Sequence, residues 1–308
     1  MNVSVLPPKL VIVRLPIEQH DLAAVHLIRL FFYEKSRRFF SYTVTDEEVS
    51  LIMKQSSFGR IMNIPGVSSS PMIWRALRLT IGEQGGSVGK ILSVLADFQY
   101  SIFYVSTATE DHILVKEREL NGALDCLRRN LGLEVDEDSS DGDAAKPEER
   151  LVDVPTRHTP SPSFSDAESA GSPGNLRLER IPGEFFLHSI PASDIDRVMR
   201  SLIDILFIRP RCSAFLSFAA VDDQQYSLIV DRQTSTLLPG GTIQQWTALK
   251  VLGEWGWSET GLALALSKPL ANIAPLYLST FSRDFVIIET ALADSACSAL
   301  SAAGIDVI

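Results

Sequence analysis

Val105-Ser106-Thr107-Ala108-Thr109-Glu110-Asp111-His112-Ile113-Leu114-Val115 and Leu278-Ser279-Thr280-Phe281-Ser282-Arg283-Asp284-Phe285-Val286-Ile287-Ile288 are two versions of one pattern. In each, an apolar run reaches a Ser-Thr pair, a short turn follows, and an aspartate opens a second apolar run at the same spacing. Other stretches repeat in the same order. Leu27-Ile28-Arg29-Leu30-Phe31-Phe32 resembles Leu202-Ile203-Asp204-Ile205-Leu206-Phe207, and Ser50-Leu51-Ile52 resembles Ser227-Leu228-Ile229. A tandem duplication accounts for all three, and its period makes each copy about half the chain.

Working outward from the repeated hairpin, strand-like alternation and helical spacing take turns in both halves. The first half reads as a strand at Leu10 to Val13, a helix from His20 to Tyr33, and a strand pair around the polar turn Thr45-Asp46-Glu47-Glu48. A strand at Trp74 to Ile81, a helix from Ser87 to Phe98, the hairpin, and a helix from Glu119 to Leu131 complete it. The second half repeats the order, with helices at Ser193 to Phe207, Thr260 to Ala271 and Ala291 to Ala302. Repeated β-α-β-β-α-β units of about 60 to 70 residues predict an α+β, ferredoxin-like chain with helices on one face of antiparallel sheet. Four units fit 308 residues: 1–65, 66–134, 179–245 and 246–308. The stretch 135–178, rich in Asp, Glu, Ser, Pro and Gly, reads as a disordered acidic linker, because it has too little apolar area to offset the entropy of ordering. Thr159, Ser161 and Ser172 precede proline there, which makes proline-directed phosphorylation conceivable.

Charge and cysteine usage exclude several classes. The net charge is −10 without any basic cluster, which argues against nucleic-acid binding. No apolar run approaches bilayer length, and the N-terminus has no secretory pattern, so a cytoplasmic protein without membrane insertion is expected. The three cysteines and five histidines never fall at metal-ligand spacing, so neither metal nor cofactor is expected. A nucleophile elbow is missing, and Gly82 to Lys90 lacks the Lys-Ser/Thr ending of a phosphate loop. No catalytic residues are assigned, and an enzyme is not expected. The turn Gly253-Glu254-Trp255-Gly256-Trp257-Ser258-Glu259-Thr260-Gly261 has two readings: a glycine-rich loop that approaches a ligand, or two tryptophans covering the core.

Together with Phe39-Phe40-Ser41-Tyr42-Thr43-Val44-Thr45 and Lys116-Glu117, these motifs resemble the CASTOR family, cytosolic arginine sensors built from ACT domains that regulate the target-of-rapamycin kinase complex. The resemblance implies two ACT modules per half and a ligand between the second and fourth. It implies that Ser101 and Ile102 meet the ligand carboxylate, that Gly256, Glu259 and Gly261 form the loop over its α-amino end, and that Thr280, Phe281 and Asp284 receive the guanidinium. Free L-arginine is the implied ligand. Lysine stays open, because a carboxylate alone does not demand a planar fork. Homodimerisation through the first and third modules is also implied. In the family an aromatic and an amide in the turn after the first Ser-Thr help engage a GATOR-type complex. Here that turn is Ala108-Thr109-Glu110 and only Asp111 is retained as a partner-binding residue. A ligand-independent scaffold of the same fold is the competing expectation.

Overall fold

The computed structural model describes residues 2–34, 39–80, 87–137, 176–208, 214–221, 224–238, 244–253, 257 and 259–308. In the first half these form β1 (Asn2–Leu15), α1 (His20–Ile28), β2 (Phe40–Thr45), β3 (Val49–Lys54), α2 (Gln55–Phe58), β4 (Ser68–Ser69), β5 (Trp74–Thr80), α3 (Ser87–Asp97), β6 (Ile102–Ser106), β7 (Asp111–Lys116), α4 (Leu120–Leu131) and β8 (Glu134–Glu137). In the second half they form β9 (Arg177–Arg180), β10 (Phe185–Pro191), α5 (Ile195–Ile203), β11 (Phe215–Ala220), β12 (Gln225–Asp231), α6 (Arg232–Ser235), β13 (Gln245–Leu252), α7 (Leu262–Ser267), β14 (Leu276–Ser279), β15 (Asp284–Glu289), α8 (Ala293–Ala302) and β16 (Asp306–Val307). The duplication extends to an irregularity. Both α1 and α5 run on into a turn of π-helix, Arg29–Tyr33 and Asp204–Ile208, which swings Phe31 and Phe207 toward the same core.

Strand pairing follows the order β10-β12-β11-β2-β3-β1-β5-β7-β6-β14-β15-β13, and β13 pairs back onto β10 at Phe185 opposite Trp246, so the sheet closes on itself. The halves join twice around this ring. At β2 and β11, Tyr42 lies opposite Phe218 and Thr43 opposite Ser217, whose hydroxyls are 3.3 Å apart. At β6 and β14, Val105 lies opposite Leu278.

Because successive side chains of a strand point to opposite faces, each strand feeds two cores. On β7, Ile113 and Val115 face α3 and α4, whereas Leu114 packs inside with Trp74, Leu278 and Phe285. Helices α1 and α5 cover a second outer core made of Phe31, Phe40, Tyr42, Phe218 and Tyr226. Burying each such aromatic stabilises the fold by about 1.5–3 kcal/mol relative to exposure. Helix α4 stops where Gly132 adopts φ 62°, and its N–H bonds to Arg128 O at 2.9 Å, the left-handed cap that glycine makes without steric cost.

Several boundaries differ from those read in the sequence. The first strand begins at Asn2, and its early residues pair with β5 and β8, so one strand serves both expected modules 1–65 and 66–134. Strand β4 pairs with Val13 and Arg14 and so belongs with the elements before it. Strands β8 and β9 occupy both ends of the expected linker 135–178, because neighbouring strands supply hydrogen-bond partners that its composition does not advertise. Residues 138–175, with the three Ser/Thr-Pro sites, lie outside the described residues, as do Gly82 to Gly86. The helix expected from Thr260 to Ala271 is shorter, starting at Leu262. Helices cover the outside of a closed ring instead of one face of an open sheet. Among the described residues, no helix is long and apolar enough to cross a membrane.

Candidate functional site

The repeated Ser-Thr-x-x-x-Asp pattern is the joint between the halves. Each threonine closes its own turn. Thr280 N–H donates to Arg283 O at 2.7 Å and its hydroxyl to the same carbonyl at 2.8 Å, while Thr107 makes the matching bonds to Glu110 O at 2.8 and 3.0 Å. Each serine crosses over. Ser279 Oγ accepts from Tyr104 N–H at 3.0 Å, and Ser106 Oγ accepts from Tyr277 N–H at 2.9 Å. Each serine also hydrogen-bonds the aspartate of its own motif, Ser106 Oγ donating to Asp111 Oδ1 at 2.6 Å and Ser279 bonding Asp284. The rings of Tyr104 and Tyr277 meet edge-on, 5.2 Å apart, on the approximate two-fold axis.

Beside this joint opens a cavity of about 60 Å³. Strand β6 and the residue before it contribute Ser101, Ile102 and Phe103; the approach to α7 contributes Trp257 and Glu259; the β14–β15 turn contributes Thr280, Phe281 and Asp284. Six of the sequence-derived candidates, Ser101, Ile102, Glu259, Thr280, Phe281 and Asp284, therefore share one cavity although the first and last are far apart in the chain. Gly261 does not line it. Its φ of 84° places it at the start of α7, where a glycine lets the chain turn from the loop into the helix whose Leu262, Ala263 and Leu266 form the cavity wall. Gly256 lies outside the described residues.

Two carboxylates face this space, with an ion pair to neither among the described residues, although Arg283 also lines it. Burial pushes Asp284 up to about 6, partly offset by the hydrogen bond from Ser279. Glu259 Oε2 is buried with no hydrogen-bond partner among the described residues. Arg283, the neighbour that sequence pairs with Asp284, points elsewhere: its Nη1 donates to Gly253 O at 2.7 Å and its Nε lies 3.5 Å from Glu47 Oε2. No ion pair reaches Asp284 or Glu259 among the described residues.

The tryptophan question resolves in both directions. Trp257 stacks on Phe103 at 5.4 Å and meets Phe281 edge-on at 5.0 Å, so it is core-like, yet it also lines the cavity. Its carbonyl accepts the Ser101 hydroxyl at 2.7 Å. That bond fastens the loop to β6 and commits the proton expected for a ligand carboxylate, so a carboxylate arriving at Ser101 must exchange with the Trp257 carbonyl. Trp255 lies outside the described residues. Asp111 does not line the cavity. It is half-buried, held by Ser106 and pushed up by burial, while Thr109 is the exposed residue of its turn. No group of three or more metal-binding side chains occurs among the described residues. Sequence reasoning passed over Phe103 and the crossing roles of Ser106 and Ser279, although the latter two stood in the repeat.

The ACT domain family matches residues 69–129, which span β5 to α4. The cytosolic arginine sensor for mTORC1 subunit 1 of Bos taurus is 24% identical, with 85% of this chain and 86% of that protein aligned. The Homo sapiens protein of the same name is 22% identical over the same shares. Among solved structures, aspartate kinase from Synechocystis aligns with 100% of this chain and 57% of its own, at 11% identity and a TM-score of 0.36. An ACT domain of the ferredoxin-like type thus lies in the first half, and the resemblance to the CASTOR family holds along 85% of the chain.

Proposed function

We propose that the cavity binds a free cationic amino acid, L-arginine first, and that the chain is a non-enzymatic cytoplasmic sensor that reports it to a protein partner upstream of the TOR kinase complex. One observation carries this reading: Asp284 and Glu259, two carboxylates without an ion pair among the described residues, face one cavity whose walls come from both halves. A guanidinium would neutralise Asp284 and an α-ammonium Glu259, each as a charge-assisted hydrogen bond. A ligand shared by two halves changes the joint only through its differential affinity for two arrangements of it, which is the physical content of sensing here. The relatives' names, cytosolic arginine sensors for mTORC1, agree in ligand and pathway. A division into four ACT modules fits the repeated elements, two to each half.

Thermal denaturation of the full chain with each of the twenty amino acids tests the proposal. Arginine at a hundred times its dissociation constant is expected to stabilise the native state by about 2.7 kcal/mol, and the melting temperature should keep rising with concentration. A flat response to arginine and lysine alike would end the sensor reading. Binding also carries a pH signature. Below about 6 the proton on Asp284 competes with the ligand cation, so affinity is expected to be level from pH 7 to 8 and to fall with acidification through pH 6. Calorimetry at pH 5 and pH 7.5 giving equal affinities would remove Asp284 from the cation site.

The competing scaffold reading is favoured by the Ser101 to Trp257 bond, which engages the Ser101 hydroxyl within the chain, and by the Ala108-Thr109-Glu110 turn. A homodimer through the first and third modules is supported by Leu22, Val25 and Tyr33 on the α1 side and Ile208 after α5, large apolar side chains left 59–69% exposed. Engagement of a GATOR-type complex through Asp111 is the remaining part of the proposal.

A further inference from the structure

We infer that Glu48 is a positioning residue for the cavity: a buried carboxylate of the first half that fixes the 280–283 turn of the second half, and with it Thr280, Phe281 and Asp284. The inference rests on the reading of that cavity as a cationic amino-acid site. Glu48 sits in the β2–β3 turn, where a run of acidic residues ordinarily faces water, yet it is only 2% exposed. Its Oε1 accepts from Ser282 N–H at 3.0 Å and from the Thr280 hydroxyl at 3.4 Å. Its Oε2 accepts from the Ser282 hydroxyl at 2.7 Å and from Arg14 Nε at 3.0 Å. Two residues on, Ser50 Oγ accepts from Phe281 N–H at 2.8 Å. The first half therefore takes up both the Phe281 and the Ser282 amide of the turn whose next residues line the cavity.

Charge reinforces the docking. Lys250 Nζ reaches Glu47 Oε1 at 2.5 Å and Arg283 approaches the same carboxylate, so the acidic turn of β2–β3 meets basic side chains of the second half. Lys250 and then Arg283 hold the Glu47 carboxyl below its usual range despite partial burial. The approximate two-fold axis supplies an internal comparison. Ser227 matches Ser50 and its Oγ accepts from Ala108 N–H at 2.8 Å, so the serine bond exists on both sides. The residue matching Glu48 is Gln225, which is uncharged and whose Oε1 accepts from Ser189 of the adjacent strand. Among the described residues, the carboxylate clamp is thus found on the side whose turn lines the cavity. A carboxylate buried this deeply keeps its partners in a narrow set of positions, since any departure leaves a charge unsatisfied.

The test uses the full chain with Glu48→Ala, Glu48→Gln, Ser50→Ala and Ser227→Ala, measuring arginine affinity by calorimetry and amide exchange at Phe281 and Ser282 without ligand. Glu48→Ala is expected to weaken arginine binding about tenfold or more and to speed exchange at both amides, because charge-assisted bonds to the turn are lost. Glu48→Gln, which keeps an acceptor oxygen, should recover part of the affinity. Ser50→Ala, losing one neutral-acceptor bond, should weaken binding about threefold, and it decides the matter if Glu48→Ala does not fold. Ser227→Ala loosens only the matching turn and should leave affinity unchanged. Variants that fold with wild-type affinity and wild-type exchange at Phe281 and Ser282 would overturn the positioning role. Failure of the wild type to bind arginine would instead overturn the ligand reading, and it is told apart because the exchange measurement needs no ligand.

Discussion

Asp284→Asn is expected to abolish the arginine-dependent rise in melting temperature while leaving the ligand-free protein, at neutral pH, more stable than the wild type. The two effects have one cause. Burial lifts the carboxyl from an ordinary 3.8 to about 6, with Ser279 only partly compensating, so the folded state holds an uncompensated negative charge at pH 7. Asparagine keeps an oxygen for Ser279 and removes the charge. Because the folded value lies above the unfolded one, the native state binds the extra proton between about pH 4 and pH 6, and wild-type stability falls as pH rises through that window. The advantage of asparagine should therefore be near zero below pH 4 and reach about 1–3 kcal/mol above pH 6. With arginine present the order reverses, since the wild type alone gains the ion pair. Paired melting curves from pH 4 to 8, with and without arginine, measure both. A variant that still responds to arginine, or that is less stable than the wild type at pH 7.5, contradicts the account of this residue.

Phe31→Ala is expected to cost about 3–5 kcal/mol, the range for truncating a fully buried aromatic. Phe31 is 0% exposed and stacks on Phe40 at 4.4 Å. It meets Tyr42 at 5.3 Å, and across the joint it touches Phe218 at 5.7 Å and Phe207 at 6.1 Å. The cavity left behind would be lined by rings from both halves, of which Phe40, Tyr42 and Phe218 are held by the β2–β11 pairing. Urea unfolding reads the loss directly. A change below about 1.5 kcal/mol would mean that the rings rearrange and that this cluster does not join the halves.

The sequence made the duplication legible because its turn chemistry is local: threonine closes the hairpin and aspartate follows the turn, at fixed spacing, twice. Ser101, Glu259 and Asp284 became candidates, and were expected to meet, only through the family resemblance. What stayed hidden depends on distant partners. The start of β1 carries Pro7 and Pro8, which the strand absorbs in a register shift between Val5 and Lys9. Acidic Glu134–Glu137 resembles the segment after it in composition, and only parallel pairing with Asn2 to Val5 orders it as a strand. Glu48 is the sharpest case. Asp46-Glu47-Glu48 has the composition of a solvated turn, and the Ser282 donors that help bury one of its carboxylates lie more than two hundred residues downstream. Helix α7 shows the reverse error: Thr260 to Ala271 reads as helical throughout, but the helix runs only from Leu262 to Ser267.

The pairing of β13 back onto β10 has a consequence for how copies of this chain can associate. An open sheet offers a row of unsatisfied amides and carbonyls on which foreign strands accrete, the usual route to fibrils and to exchange of segments between molecules. Here each long strand has a neighbour on both sides, though β13 meets β10 only at Phe185 and Phe186, and the branches β4, β8 and β16 are two to four residues long. Self-association through backbone templating is therefore disfavoured, which leaves side-chain contacts between helices as the available means of assembly and keeps an oligomer of this protein reversible.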